Sequence, residues 1–214
     1  MPLRVPTLRD PAVVVRPIRV RDARALEVEL RRNRGWLRRW EATNPGPGPS
    51  YDARTGIRLL RAMARGAIGL PFALEVDGEF AGQLNVSQVS FGSLSSCAIG
   101  YWVAERFAGR GVTPTAVALV ADHCFSELGL HRVEICIRPE NGPSLRVVEK
   151  LGFRYEGLRR RYIHIDGGWR DHFAFALTAE DVPGGVLGRW RSGEADPRLA
   201  MVPAADRLAA GLRG

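Results

Sequence analysis

The residues of this 214-residue chain best suited to chemistry lie in two short stretches. RFAGRG (Arg106 to Gly111) stands directly ahead of VTPTAVALVADHCF, and Asn141 of PENGPSLRVVEKLGF follows Gly111 by thirty residues. A loop without side chains at Gly109 and Gly111 lets backbone N–H groups converge on an anion. A helix behind it adds the positive end of its dipole, and Arg106 and Arg110 can add charge-assisted contacts. The spacing is not GxxxxGK[ST], which excludes a P-loop, and the third glycine of GxGxxG is missing. A tight turn would use the same glycines, so the loop alone leaves both readings open. Asn141 and Ser144, taken alone, are equally suited to capping a helix.

Other chemistry is sparse. Cys97, Cys124 and Cys136 are odd in number and form no CxxC pair, so they read as small buried hydrophobes in a reducing compartment. His123, His131, His164 and His172 show neither HExxH nor any other zinc spacing, and no metal site is expected. No apolar run reaches 18 residues, and MPLRVPTLRD lacks the apolar centre of a signal peptide, so a cytoplasmic location and no membrane contact are expected. The formal charge is +8, and Lys150 is the only lysine. Eleven arginines face four acids in the first forty residues. That end suits an acidic partner such as RNA, while a solvated helix face explains any single arginine equally well.

The elements that must position these residues follow from periodicity. VVVRPIRV (Val13 to Val20) reads as the first strand, and Asp22 as the cap of a helix carrying Ala25, Leu26 and Leu30 on one face. NPGPGPS is a loop, and a second helix is expected from about Asp52 to Arg65. PFALEV and EFAGQLNVSQV flank Asp77-Gly78, a strong hairpin signal. AIGYWV is a further strand. The next helix has Thr113 as its expected cap and Pro114 in its first turn. It leads to the strand VEICIR, which makes a parallel βαβ crossover. A helix from Ser144 to Leu151 ends at Gly152, and RRYIHI and HFAFALT flank Asp166-Gly167-Gly168. The expected fold is a mixed α/β (α+β) sheet of about seven strands, mostly antiparallel, with about four helices. Residues 1–12 read as an extension, 13–181 as the domain, and 182–214 as an Arg/Gly-rich tail with a short helix near Ala204 to Leu212.

Arg-x-x-Gly-x-Gly after an apolar strand, then Asn-x-x-Ser, then Leu-Gly-Phe, resembles the GCN5-related N-acetyltransferases from about Val13 to Asp181. WLRRWE (Trp36 to Glu41), GQLNVSQVSFGS, IGYWV and YIHIDGGWRDHFAFALT resemble the ribosomal-protein-alanine N-acetyltransferases, the RimJ type. The resemblance implies acetyl-CoA as co-substrate, its pyrophosphate held by Arg106, Gly109, Arg110, Gly111, Val112 and Thr113. It places an oxyanion donor on the strand at Tyr101, Trp102 and Val103, the pantetheine arm at Asn141, and the leaving thiolate at Ser144. Val148 stands where many family members carry a tyrosine acid, and Pro114 removes one amide from the helix start.

Glu41 is a candidate base, or else a surface carboxylate beside Arg38 and Arg39. Trp36, Trp40 and Asn85 are candidates for the acceptor cleft, although tryptophans so spaced also serve as core. A free α-amine, with a reference pKa of about 7.7–8.0, needs little help in losing its proton; lysine, near 10.4, needs roughly 3 kcal/mol more at neutral pH. The resemblance to the RimJ type implies as acceptor the N-terminus of a protein, ribosomal or ribosome-bound, beginning with alanine or a similar small residue, and the pKa difference agrees with it. A small-molecule amine such as an antibiotic or polyamine is the alternative, and a non-enzymatic RNA-binding module would leave both motifs without purpose. No sequence-specific nucleic-acid contact is expected, and monomer and homodimer remain equally open.

Overall fold

The computed structural model describes residues 3–46 and 52–212. The second half of the NPGPGPS loop, residues 47–50, lies outside the described residues. The strands are β1 (Leu8–Asp10), β2 (Val13–Pro17), β3 (Leu70–Val76), β4 (Glu79–Ser90), β5 (Ser96–Val103), β6 (Arg132–Ile137), β7 (Arg154–Ile165) and β8 (Gly168–Thr178). The helices are α1 (Ala23–Arg32), α2 (Arg34–Leu37), α3 (Ala53–Arg65), α4 (Val112–Ser126), α5 (Gly142–Leu151), α6 (Val186–Ser192) and α7 (Ala204–Ala209). The eight strands form one sheet in the order β1-β2-β3-β4-β5-β6-β8-β7, against about seven expected. Every neighbouring pair is antiparallel except β5 with β6, the two strands joined through α4.

That parallel pair opens a cleft. Residues Ser96, Cys97 and Ala98 pair with Arg132, Val133 and Glu134, and the pairing stops there. β4 accompanies β5 onward to Val103, so from Ile99 to Val103 one edge of β5 is free of its parallel neighbour. Beyond the split, backbone groups that a continuous sheet would consume are available to a ligand.

Helices cover both faces. On one, α4 and α5 bury Val117, Val120, Ala121, Val148 and Leu151 against Val15, Phe72, Leu74, Val133, Ile135 and Phe175. On the other, α1 and α3 seat Ala23, Leu26 and Ile57 against Ile18, Ala73 and Phe80. α4 carries nine buried positions spread around its circumference. It is a core helix, so only its N-terminus is left to meet a ligand.

Several expected local features take another form. Asp22 precedes α1, but its carboxylate turns back to the Arg16 guanidinium and the Arg19 N–H, which makes it a clamp between β2 and the turn at Val20–Asp22. Gly111 rather than Thr113 occupies the cap position of α4, with φ of 78°, and Pro114 lies in the first turn. A left-handed cap is open to glycine and strained for threonine. Asn141 caps α5, Asp52 caps α3, and Gly152 ends α5 in the left-handed conformation.

β1 and the stretch after Asp181 are ordered additions to the sheet and helices read from periodicity. β1 pairs with β2 outside the expected first strand. The Asp122 carboxylate accepts the N–H groups of Val186 and Leu187 at 2.6 and 3.1 Å, which fixes α6 to α4. Arg191 meets Asp10, and the Tyr155 hydroxyl donates to Asp206 of α7 at 2.8 Å. Among the described residues no helix is long and apolar enough to cross a membrane.

Candidate active site

The cleft holds two adjoining cavities. The first, of about 160 Å³, lies at the N-termini of α4 and α5 and is lined by Gly109, Gly111, Val112, Thr113, Asn141, Ser144, Arg146 and Lys150, among others. The second, of about 370 Å³, lies on the α1 side of the sheet and takes in Glu41, Asn85, Cys136, Arg138, Ile163 and His172. Leu37, Trp40, Tyr101, Trp102, Asn141 and Ser144 line both. A group passed from one cavity to the other crosses at those residues.

The first cavity is built to hold an anion. Gly109 and Gly111 have φ of 76° and 78°, and a side chain at Gly109 would project into open space. The N–H groups of Gly109, Arg110 and Gly111 bond to nothing within the described chain, whereas the preceding amides of Phe107 and Ala108 close a turn. Behind them stand the unpaired amides of the first turn of α4, where Pro114 supplies none. This cradle of consecutive donors at a helix N-terminus fits a pyrophosphate.

The arginines beside it do other work. The Arg106 guanidinium joins buried Glu29 and donates to Glu79 at 3.0 Å, and it lies over the Phe107 ring. The carboxylates raise its pKa further, and burial opposes the shift. Asn33 completes the knot by accepting the Glu105 N–H at 2.8 Å. Arg110 reaches Asp77 at 3.1 Å. Both side chains, named for phosphate contact from the sequence, fasten the loop to α1 and to the β3–β4 hairpin through these carboxylates, and neither lines the first cavity. The cationic side chains on the cavity wall are Arg146 and Lys150, one α-helical turn apart on α5; neither was singled out from the sequence as a site residue.

At the junction, Asn141 Oδ1 accepts the Ser144 N–H at 3.2 Å, which leaves the Ser144 hydroxyl free of the helix start. The Tyr101 hydroxyl is buried beside Ser144 without a hydrogen-bond partner. Burial pushes its pKa well above the ordinary value, and Ser144 opposes the shift. Tyr101 therefore keeps its proton and can only donate or accept a hydrogen bond.

The second cavity presents acceptors. Asn85 Oδ1 is buried and unpartnered. His172, only 3% exposed, has Nδ1 at 3.0 Å from the Arg170 carbonyl. Burial lowers its pKa, the Arg138 charge adds to the effect, and the bond to Arg170 and the charges of Glu140 and Asp171 work against it. Glu41 reaches the cavity wall but is paired with Arg34 at 2.6 Å. The Trp40 ring lies 4.5 Å below the Arg39 guanidinium and 5.5 Å from that of Arg138. An Ala42–Ile165 bridge and the Thr43 N–H to His164 carbonyl bond hold this segment against β7. Trp36, expected in the acceptor cleft, lines the first cavity instead, with its indole N–H on the Val103 carbonyl at 3.2 Å. His172 was missed because its sequence spacing carries no metal or triad pattern. Its one signal was a histidine opening an otherwise apolar strand. Among the described residues no group of His, Cys, Asp and Glu could hold a metal ion.

Residues 12–154 match the acetyltransferase (GNAT) domain family, and the chain belongs to that family: it is an acetyl-CoA-dependent N-acetyltransferase. Within it, the chain is similar to the Escherichia coli [ribosomal protein uS5]-alanine N-acetyltransferase, with 32% identity over 174 residues, 79% of this chain and 89% of that one. The structure of Mycobacterium smegmatis RimJ in complex with CoA-disulfide superposes with a TM-score of 0.81 at 42% identity, covering 89% of this chain and 94% of the other. A further relative is the Bacillus subtilis protein described as probable N-acetyltransferase YjcK. It is 39% identical over 105 residues, and the match spans 49% of this chain and 58% of that protein.

Proposed function

We propose that this enzyme moves the acetyl group of acetyl-CoA to the α-amine of a protein N-terminus that begins with alanine or a similar small residue, with a ribosomal protein as substrate. The observation that carries the reading is the second cavity: Asn85 Oδ1, orphaned and buried, meets no donor in the described chain, and an ammonium or peptide N–H supplies one. The similarity to the uS5-alanine acetyltransferase and to RimJ supports a protein substrate over a free amine. The charges agree. A polyamine favours an acidic wall, whereas the carboxylate on this wall, Glu41, is already paired with Arg34, and the guanidinium, Arg138, with Glu140.

In this reading the loop from Gly109 to Thr113 holds the pyrophosphate, and Asn141 orients the pantetheine arm. A backbone N–H of β5 between Tyr101 and Val103, on the edge freed by the split, receives the developing oxyanion. The Ser144 and Tyr101 hydroxyls steady the departing thiolate where the cavities meet.

Three acceptors separate the possibilities: a peptide starting with alanine, the same peptide blocked at its N-terminus and carrying lysine, and spermidine. Acetylation chiefly of the first is expected, by mass spectrometry. Transfer chiefly to lysine or spermidine overturns the proposal in favour of a side-chain or small-amine acetyltransferase.

A further inference from the structure

We infer that His172 is the proton acceptor of the transfer step, and that its Nε2 takes a proton from the incoming ammonium in the second cavity. The inference rests on the site reading above and goes beyond it by naming a base. The tautomer follows from geometry. Nδ1 faces the Arg170 carbonyl, which only accepts, so the ring proton sits on Nδ1 and the Nε2 lone pair is left. Nε2 takes no hydrogen bond from the described chain, and the ring lines the cavity that holds Asn85 and adjoins Ser144.

Each neighbouring element contributes to the setting. From β8 come Arg170, through its backbone carbonyl, and Asp171, whose carboxylate accepts the Arg161 N–H. Arg138 and Glu140, which bond to each other at 3.2 Å, follow β6. β7 contributes Arg159, opposite His172 in register, and Tyr162, whose ring meets the imidazole edge-on at 5.8 Å. Cys136 lies on the cavity wall, its thiol pushed up to about 12, chiefly by burial, and so keeps its proton. Glu41 shares the wall, but its carboxylate is engaged by Arg34. An uncommitted lone pair on a neutral base is thus the distinguishing property of His172.

The step balances. A proton passes from the ammonium to Nε2, and the freed lone pair forms the N–C bond at the thioester carbonyl. As the tetrahedral adduct collapses, the C–S bond breaks with its electron pair going to sulfur. The second nitrogen proton passes to that sulfur, and His172 releases its own proton to solvent.

His172→Asn tests this, because the shorter amide keeps a donor for the Arg170 carbonyl while Nε2 is lost. The acceptor is whichever amine the wild type acetylates best, so a failure of the N-terminal assignment does not affect the result. Expected are a fall of about 100-fold in kcat/KM, an unchanged CoA-induced rise in Tm, loss of the acid limb from the pH profile, and partial rescue by added imidazole. Wild-type kcat/KM, or a loss of activity matched by a loss of the CoA-induced shift, overturns the inference. Should the variant not fold, nitrogen NMR of the wild-type imidazole decides it: Nε2 unprotonated at neutral pH is expected, and Nε2 protonated overturns it.

Discussion

Ser144 offers different atoms to a helix and to the two cavities. Its backbone N–H is taken by Asn141 at the start of α5, while its hydroxyl faces the junction of the cavities beside the Tyr101 phenol. Removing the hydroxyl leaves the cap intact. Ser144→Ala is therefore expected to lower kcat by about tenfold or more, roughly 1.4 kcal/mol in barrier, with little change in acetyl-CoA affinity or Tm. Stopped-turnover kinetics beside a thermal melt measure the two separately. Wild-type turnover would leave Ser144 a helix-start residue alone. Val148 is fully buried under the sheet, while Tyr101 and Ser144 line both cavities.

Among the elements, α6 is the least expected. It holds seven residues and has no side-chain cap of its own. Its capping group comes from α4, where the Asp122 carboxylate takes two of its free N–H groups. Val186 is fully buried, and the Trp190 indole donates to the Thr115 hydroxyl at 3.0 Å while lying 3.9 Å from the place a Gly111 side chain would occupy. α6 thus backs the N-terminal turn of α4 from outside the cavity. Asp122→Ala is expected to cost about 1 kcal/mol, the usual loss of a helix cap, and Asp122→Asn less, since one acceptor oxygen survives. Urea unfolding followed by tryptophan fluorescence reports both.

For the whole molecule, binding and stability are linked. A ligand at about 100 times its Kd stabilises the folded state by about 2.7 kcal/mol, so acetyl-CoA at that excess is expected to raise Tm visibly. Gly111→Val is expected to abolish the rise: a β-branched residue is strained at φ of 78°, and its side chain would meet Trp190. An unaltered shift in that variant would remove the glycine loop from the cofactor site. Under the proposed function, the charge of +8 is expected to speed encounter with a substrate on an RNA-rich surface, an effect that weakens with salt.

What the sequence determined by itself was local and periodic. The Asp77-Gly78 hairpin, the apolar strand IGYWV, the Gly152 stop and the order of the main elements could be read because each depends on neighbours a few residues away. The glycine loop was legible for the same reason, since left-handed backbone at Gly109 and Gly111 is written into residue type. Tertiary structure alone decided what the charged side chains do. Arg106 and Glu29 are 77 residues apart in sequence, and no local pattern shows that the two will pair. The same holds for α6, whose cap lies 64 residues upstream at Asp122, and for His172, whose pKa is lowered by burial and whose ring meets Tyr162 of β7. Desolvation and ion pairing are set by distances in space, and those exist only once the sheet has closed.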